Sequence, residues 1–282
     1  MTVADLALIQ EAVAALDLID LGRIGTPGGQ KAVRLVQNAA GVQQVLKVVA
    51  VDFATNEALT RAKREVELLG EISNANVVRV ESALIELGTP THGAAWVEEH
   101  LDGQDLVTLV GAAKWSWADT RRMGNEVANG LAAAHDRAVI HRDLSANNVR
   151  RLSDGTYRVL DFGVARHTLL TGVTTLGQPG TPGYFSPEHL NSYSGGPMRM
   201  SDVFQVGNLM YLALTGVLPI PYLGDAVDYI NRLGNLTMTS LATLRPDLTP
   251  PQVAAVTTAM HRQPARRYLN GAALRDALQG TP

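Results

Sequence analysis

Apolar side chains at Leu6, Ile9, Val13 and Leu16 recur three and four residues apart with acids on the other face, which predicts a helix within residues 3–20 packed on the strands after it. A glycine-rich stretch, Gly22-Arg23-Ile24-Gly25-Thr26-Pro27-Gly28-Gly29-Gln30-Lys31, leads into Val33–Val36 and then Val42–Val51. These two β-branched runs read as strands around a turn. The period changes over Thr55–Leu69, where Ala58, Leu59, Ala62, Val66 and Leu69 form one helical stripe and Gly70 stands just past it as a C-cap. Residues 76–99 return to strand-like runs. From Ser116 onward the pattern is helical, with Ser116 as cap, Asp119 three residues later as a capping-box variant, and Met123, Val127, Leu131 and Ala134 as the buried stripe. The first third is thus strand-rich and most of the rest helical, with the junction near Asp102-Gly103.

Composition narrows the class. A chain of 282 residues that is 46% hydrophobic builds one large domain or two lobes sharing a cleft, and its 18% charged content excludes a disordered polyelectrolyte. The net charge of −3, with no long run of either sign, argues against nucleic acid or an anionic membrane as partner. The absence of cysteine excludes disulfide scaffolds, cysteine-ligated metals, thiol nucleophiles and thiol-based redox control. Asp5, Glu11, Asp17 and Asp20 with no early Lys or Arg are wrong for a signal peptide, and no apolar run approaches the ~18 residues of a membrane span. A cytoplasmic protein is expected.

The chemistry gathers at His141-Arg142-Asp143-Leu144-Ser145-Ala146-Asn147-Asn148 and at Asp161-Phe162-Gly163. Between them Ser153-Asp154-Gly155-Thr156 signals a hairpin. With Asp154 and Gly155 as a two-residue turn, Asn148 and Asp161 fall opposite one another at its open end, and Asp143 lies just upstream. Three oxygen-bearing side chains then converge, a hard donor set suited to Mg²⁺ held jointly with substrate phosphates. In Val45-Leu46-Lys47-Val48-Val49, alternation puts Lys47 on the same face as two valines, which is costly unless the ammonium is paired. Glu65 shares the apolar edge of the 58–69 helix and is the expected partner.

These residues resemble the catalytic-loop and metal-binding signatures of eukaryotic-like protein kinases, including the bacterial Ser/Thr kinases, over roughly residues 18–280. The resemblance implies an α+β, two-lobed fold: an N-terminal helical extension at 1–20, a strand-rich N-lobe at 21–101 and a helical C-lobe at 102–282, with ATP between the lobes. It implies that Asp143 orients or accepts the proton of the attacking hydroxyl, that Asn148 and Asp161 hold Mg²⁺, and that Lys47 and Glu65 form the phosphate-anchoring pair. Gly25, Gly28 and Gly29 would cover the phosphates with Val33, although Lys31 stands where the family has its third glycine. The backbone at Glu99 and Leu101 would meet adenine, and Asp105 the ribose. Glu98 falls at the position guarding the back of the adenine pocket, usually apolar or small, where an acid would alter inhibitor binding more than ATP binding.

Downstream, Gly180-Thr181-Pro182-Gly183-Tyr184-Phe185-Ser186-Pro187-Glu188 resembles the end of an activation segment, with Ser186 replacing the usual alanine and Thr181 favouring Ser/Thr substrates. Arg267 resembles the buried partner of Glu188, and Asp202 the helix aspartate that supports the catalytic loop. Arg142 before Asp143 implies control by a phosphate on Thr171, Thr174 or Thr175. Ser145 stands in place of the family's lysine, with Lys31 a candidate substitute. The implied activity is Mg-ATP-dependent phosphorylation of protein Ser/Thr hydroxyls, with autophosphorylation in the activation segment. The alternatives are a pseudokinase or nucleotide-binding module, favoured by Ser145 and Lys31, and a small-molecule phosphotransferase, which would lack the segment at 180–188. Because the resemblance uses nearly the whole chain, no appended sensor domain is expected, and regulation falls to the activation segment, the N-terminal helix or a separate partner.

Overall fold

The computed structural model describes residues 6–24, 31–50, 56–111, 114–162, 180–190 and 195–282. Gly25, Gly28, Gly29, Gly163, Thr171, Thr174, Thr175 and the side chain of Ala58 lie outside the described residues. The described residues divide into two compact units, the first drawn from those up to 73 and from 78–101, the second from 74–77 and those beyond 101.

The first unit is a five-stranded antiparallel sheet in the order β1-β2-β3-β5-β4, with β1 Ile19–Arg23, β2 Lys31–Gln37, β3 Gln43–Ala50, β4 Ile85–Leu87 and β5 Gly93–Glu99. Alternation along β3 sends Leu46, Val48 and Ala50 to one face. There they join Val36, Leu87, Ala95 and Val97 under helix α1 (Leu6–Ala15), which contributes Leu8, Ile9 and Ala12. Each large apolar side chain buried in this way contributes about 1.5–3 kcal/mol.

The buried stripe of α1 differs from the expected one, since Leu8 and Ala12 take the place of Leu6, which is 64% exposed. Fully buried Ala12 lets the helix backbone sit close on the sheet, and alanine is too weak a hydrophobic signal to outrank a leucine in a periodicity count. Val13 and Leu16 pack at the margin of this core. The helix stops at Ala15, where Asp17 takes a left-handed φ of 50° and β1 then starts at Ile19, so the helical extension is shorter than 1–20.

Helix α2 (Asn56–Gly70) buries Leu59, Ala62, Val66 and Leu69 as the period predicts. Gly70 continues the last turn instead of forming a left-handed cap, and the helix closes through Glu71 N–H to Glu67 O and Ile72 N–H to Leu69 O, both 3.1 Å. Lys63 of α2 pairs with Glu86 of β4 at 2.6 Å.

The second unit carries a three-stranded sheet, β6 Gly103–Asp105, β7 Val149–Leu152 and β8 Tyr157–Val159, and helices α3 Leu106–Leu109, α4 Trp117–Asp136, α5 Arg199–Thr215, α6 Ala226–Asn235, α7 Leu241–Leu244, α8 Pro250–Ala259 and α9 Gly271–Gln279. Ser116 caps α4 by accepting the Asp119 N–H at 3.1 Å, and Met123, Val127, Leu131 and Ala134 are buried along it as expected. The Asp119 carboxylate completes the cap by accepting from the Ser116 hydroxyl at 2.6 Å. Helix α5 is buried from Ser201 to Thr215 on every side and forms the centre of this unit. Gly271 begins α9 so close to α4 that a Cβ would stand 2.5 Å from both Ala128 O and Ala132 N. Residues 74–77 join this unit because Asn76 Nδ2 donates to Tyr157 O at 2.8 Å and Val77 makes a parallel bridge to Val159.

The hairpin differs from the expected register. Val149 pairs with Val159 and Arg151 with Tyr157, while the Leu152 N–H reaches Thr156 O at 2.8 Å, so the loop is three residues, Ser153-Asp154-Gly155. Gly155 takes the left-handed position at φ 85°. The slip of one residue puts Leu160, whose N–H donates to Asn148 O at 2.8 Å, opposite Asn148, and moves Asp161 one step further along. Among the described residues no helix is long and apolar enough to cross a membrane.

Candidate active site

In the first unit Val33, Lys47 and Trp96 stand abreast on β2, β3 and β5, and Lys31 is opposite Val49. Lys31, Val33 and Lys47 therefore share a sheet face, the one opposite to that covered by α1. Lys47 is only 4% exposed, so its ammonium needs a counter-charge. It donates to Glu98 Oε2, and the Trp96 indole N–H donates to Glu98 Oε1 at 2.9 Å. The ammonium also stands 6.0 Å from the Trp96 ring centroid. The partner expected from sequence, Glu65, lies half-buried on α2, whereas the acid that the strands bring to Lys47 is Glu98. At the end of β5, Glu99 is held by Arg79 twice, through its N–H to Arg79 O at 2.9 Å and its carboxylate from Arg79 N–H at 2.7 Å. Leu101 is buried where this unit ends.

In the second unit the loop carrying Asp143 is held from below. Asp202, the fourth residue of α5 and fully buried, accepts the backbone N–H groups of His141 at 2.8 Å and Arg142 at 2.9 Å. His135 of α4 adds a ring nitrogen at 2.9 Å. Burial pushes the Asp202 carboxyl upward, but the hydrogen bonds it accepts from His135 and the His141 N–H outweigh this and hold it below the ordinary carboxylate range. Gln205, one helical step on, accepts the Leu144 N–H at 3.2 Å. Arg142 adopts a left-handed φ of 64°, and its carbonyl meets His189 Nε2 at 2.8 Å. Burial drives the His189 pKa down, which keeps the ring neutral and able to serve as a hydrogen-bond bridge to the Ser186 hydroxyl at 2.9 Å.

These supports aim three oxygen-bearing groups. Asp143 Oδ1 accepts the Thr181 hydroxyl at 2.8 Å. Asn148 Nδ2 donates to Asp143 O at 2.8 Å, which fixes the amide and leaves Oδ1 as its hard donor. Asp161 follows Leu160, whose carbonyl meets His141 Nε2 at 2.8 Å, and Phe162 packs on the His141 ring at 4.7 Å between centroids. Asp161 also has a left-handed φ of 52°, strain of the kind that concentrates at functional sites. Asp105 lies directly across the ladder from Arg150 and accepts its guanidinium at 2.8 Å. Ser145 is buried and its hydroxyl finds no hydrogen-bond partner among the described residues.

Further along, Glu188 and Arg267 form an ion pair at 2.7 Å with both side chains fully buried, and Ser201 donates a third hydrogen bond to the carboxylate. Burial raises the Glu188 pKa, but the Arg267 guanidinium prevails and holds it below the usual range. The sequence pointed to Asp202, Glu188 and Arg267 but not to His135, His189 or Gln205. Each of these acts through a contact 47 to 67 residues away in the chain, for which one sequence carries no signal.

Residues 19–268 match the protein kinase domain. Pkn3 of Myxococcus xanthus, a serine/threonine-protein kinase, is 29% identical over 272 residues, which cover 91% of this chain and 48% of that protein. PknL of Mycobacterium bovis, also a serine/threonine-protein kinase, is 31% identical over 235 residues, or 81% of this chain and 56% of the relative. A probable serine/threonine-protein kinase of Bifidobacterium longum, PknB, is 30% identical over 219 residues, 73% of this chain and 31% of its own length. The chain belongs to the protein kinase domain family, in the branch that includes the bacterial Ser/Thr kinases. It spans about half the length of pkn3 and PknL and less of PknB.

Proposed function

We propose that this chain transfers the γ-phosphate of ATP to Ser and Thr hydroxyls of protein substrates, and to its own activation segment. The carrying observation is the Asp143 carboxylate, in a loop pinned by Asp202 and Gln205, with the Thr181 hydroxyl on Oδ1. That arrangement suits a group that orients an incoming hydroxyl and takes up its proton. Asn148 and Asp161 supply two hard oxygen donors, fewer than a closed cation cage needs, and this fits Mg²⁺ shared with phosphate oxygens. Bound Mg-ATP would supply the phosphoryl group, and the protein's part is positioning and charge neutralisation.

In this reading Lys47 anchors phosphates and Glu65 supports it from α2. Gly25, Gly28, Gly29, Lys31 and Val33 cover the nucleotide, the Glu99 and Leu101 backbone meets adenine, and Asp105 reaches the ribose with the oxygen that Arg150 leaves. A nucleotide-binding interaction module is favoured by one observation, the Ser145 hydroxyl, which has no partner among the described residues and stands where the family carries a lysine. One experiment separates the two readings. Incubation of the full chain with Mg-ATP followed by mass spectrometry yields phosphate on Thr171, Thr174 or Thr175, and none in Asp161→Ala. An unmodified parent that also leaves added protein substrates unphosphorylated overturns the kinase reading.

A further inference from the structure

Lys47 and Glu98 belong to adjacent strands of one sheet. With Lys47 opposite Trp96 and Val45 opposite Glu98, the two are diagonal neighbours on one face, a separation that long side chains span. Glu98 has little freedom there. Its backbone lies in the β5 ladder and bridges Val80, its Oε1 takes the Trp96 indole N–H at 2.9 Å, and its Oε2 takes the Lys47 ammonium. Lys47 is 4% and Glu98 6% exposed, so water competes poorly for either group.

We infer that Glu98 is a positioning residue for Lys47, and that it sets how tightly the chain holds the phosphate groups of a nucleotide. The inference rests on the reading of Lys47 as the phosphate-anchoring cation. It also inverts the sequence-based expectation for Glu98, because an acid bonded to that cation acts on phosphate binding first. Both partners sit in a single sheet, so the position of this ammonium is built into the strand register.

A purely structural role, in which Glu98 only neutralises a buried charge, predicts a different result from Glu98→Asp. That variant keeps the charge and shortens its reach by one methylene, while Glu98→Gln keeps the reach and removes the charge. Calorimetry on the full chain and both variants gives dissociation constants for Mg-ATP and for adenosine, and their ratio isolates the phosphate contribution. Thermal transitions recorded on the same samples show which variants are folded.

Both variants lower the adenosine-to-ATP ratio by about tenfold, the worth of one charge-assisted hydrogen bond, and leave adenosine affinity within about twofold. A parental ratio in folded Glu98→Asp overturns the proposal, and that variant carries the test alone if Glu98→Gln does not fold. A ratio near unity in the parent overturns the assignment of Lys47 and this inference with it. Phosphate transfer is assayed separately on the same parent, and its absence overturns the kinase reading while the ratios still report on Glu98.

Discussion

Asparagine in place of Asp143 lowers phosphoryl transfer by about 10²–10⁴-fold, the range assigned to a positioned proton acceptor. The substitution is nearly isosteric, and its amide oxygen still accepts the Thr181 hydroxyl that Asp143 Oδ1 accepts at 2.8 Å. The backbone of the loop is held independently by Asp202 and Gln205. The fold and nucleotide affinity therefore persist while the capacity to take up a proton is lost. Steady-state rates with a protein substrate, beside a thermal transition of unchanged midpoint, read this directly. Turnover within about tenfold of the parent would place the acceptor elsewhere.

The second large effect concerns stability. Arg267→Ala strands the Glu188 carboxylate, fully buried beside Ser201, and costs about 3–5 kcal/mol, the usual penalty for breaking one side of a buried pair. Arg267 also donates to three backbone carbonyls, those of His261, Met200 and Arg262, so several segments loosen together. Denaturant unfolding at pH 7 measures the loss, and a change below about 1 kcal/mol would show that the pair is not a major support.

The pH dependence has a definite sign. The folded-state pKa of Glu188 is depressed, so its stabilisation is present above the unfolded value near 4.5 and is lost as pH falls through the folded value. His189 is also depressed by burial, so the unfolded chain binds the extra proton first and stability declines once pH drops below about 6.5. The parent thus weakens in two stages on acidification, and the gap between parent and Arg267→Ala narrows only in the second.

The sequence made legible those features that depend on local period or on short motifs. The stripes of α2 and α4, the Ser116 cap and the strand alternation around Lys47 come from side chains a few residues apart, where burial has a fixed geometry. The hairpin register escaped because Asp-Gly serves both two-residue and three-residue loops, and the choice depends on whether Gly155 alone takes a left-handed φ. The acid that β5 brings to Lys47 escaped for a different reason. An acid on a neighbouring strand and an acid on α2 satisfy the same burial argument, and only the β3–β5 register brings Glu98 alongside. The supports from His135, His189 and Gln205 are tertiary, set by the packing of α4 and α5 and by the turn after Ser186.

The N-terminus of α9 has a reach beyond its own packing. The Gly271 N–H donates to His135 Nδ1 at 3.1 Å, so the imidazole proton resides on Nε2, where it meets Asp202 at 2.9 Å. Asp202 in turn grips the two amides that precede Asp143. One backbone amide at the start of α9 thereby reinforces a tautomer whose effect arrives, through three successive hydrogen bonds, at the loop of the proposed proton acceptor. The span matched to the family stops at residue 268, three positions short of that amide. A chain trimmed to that span would leave His135 Nδ1 without the amide that Gly271 supplies, and Asp202 alone would then hold the ring in place behind the loop carrying Asp143.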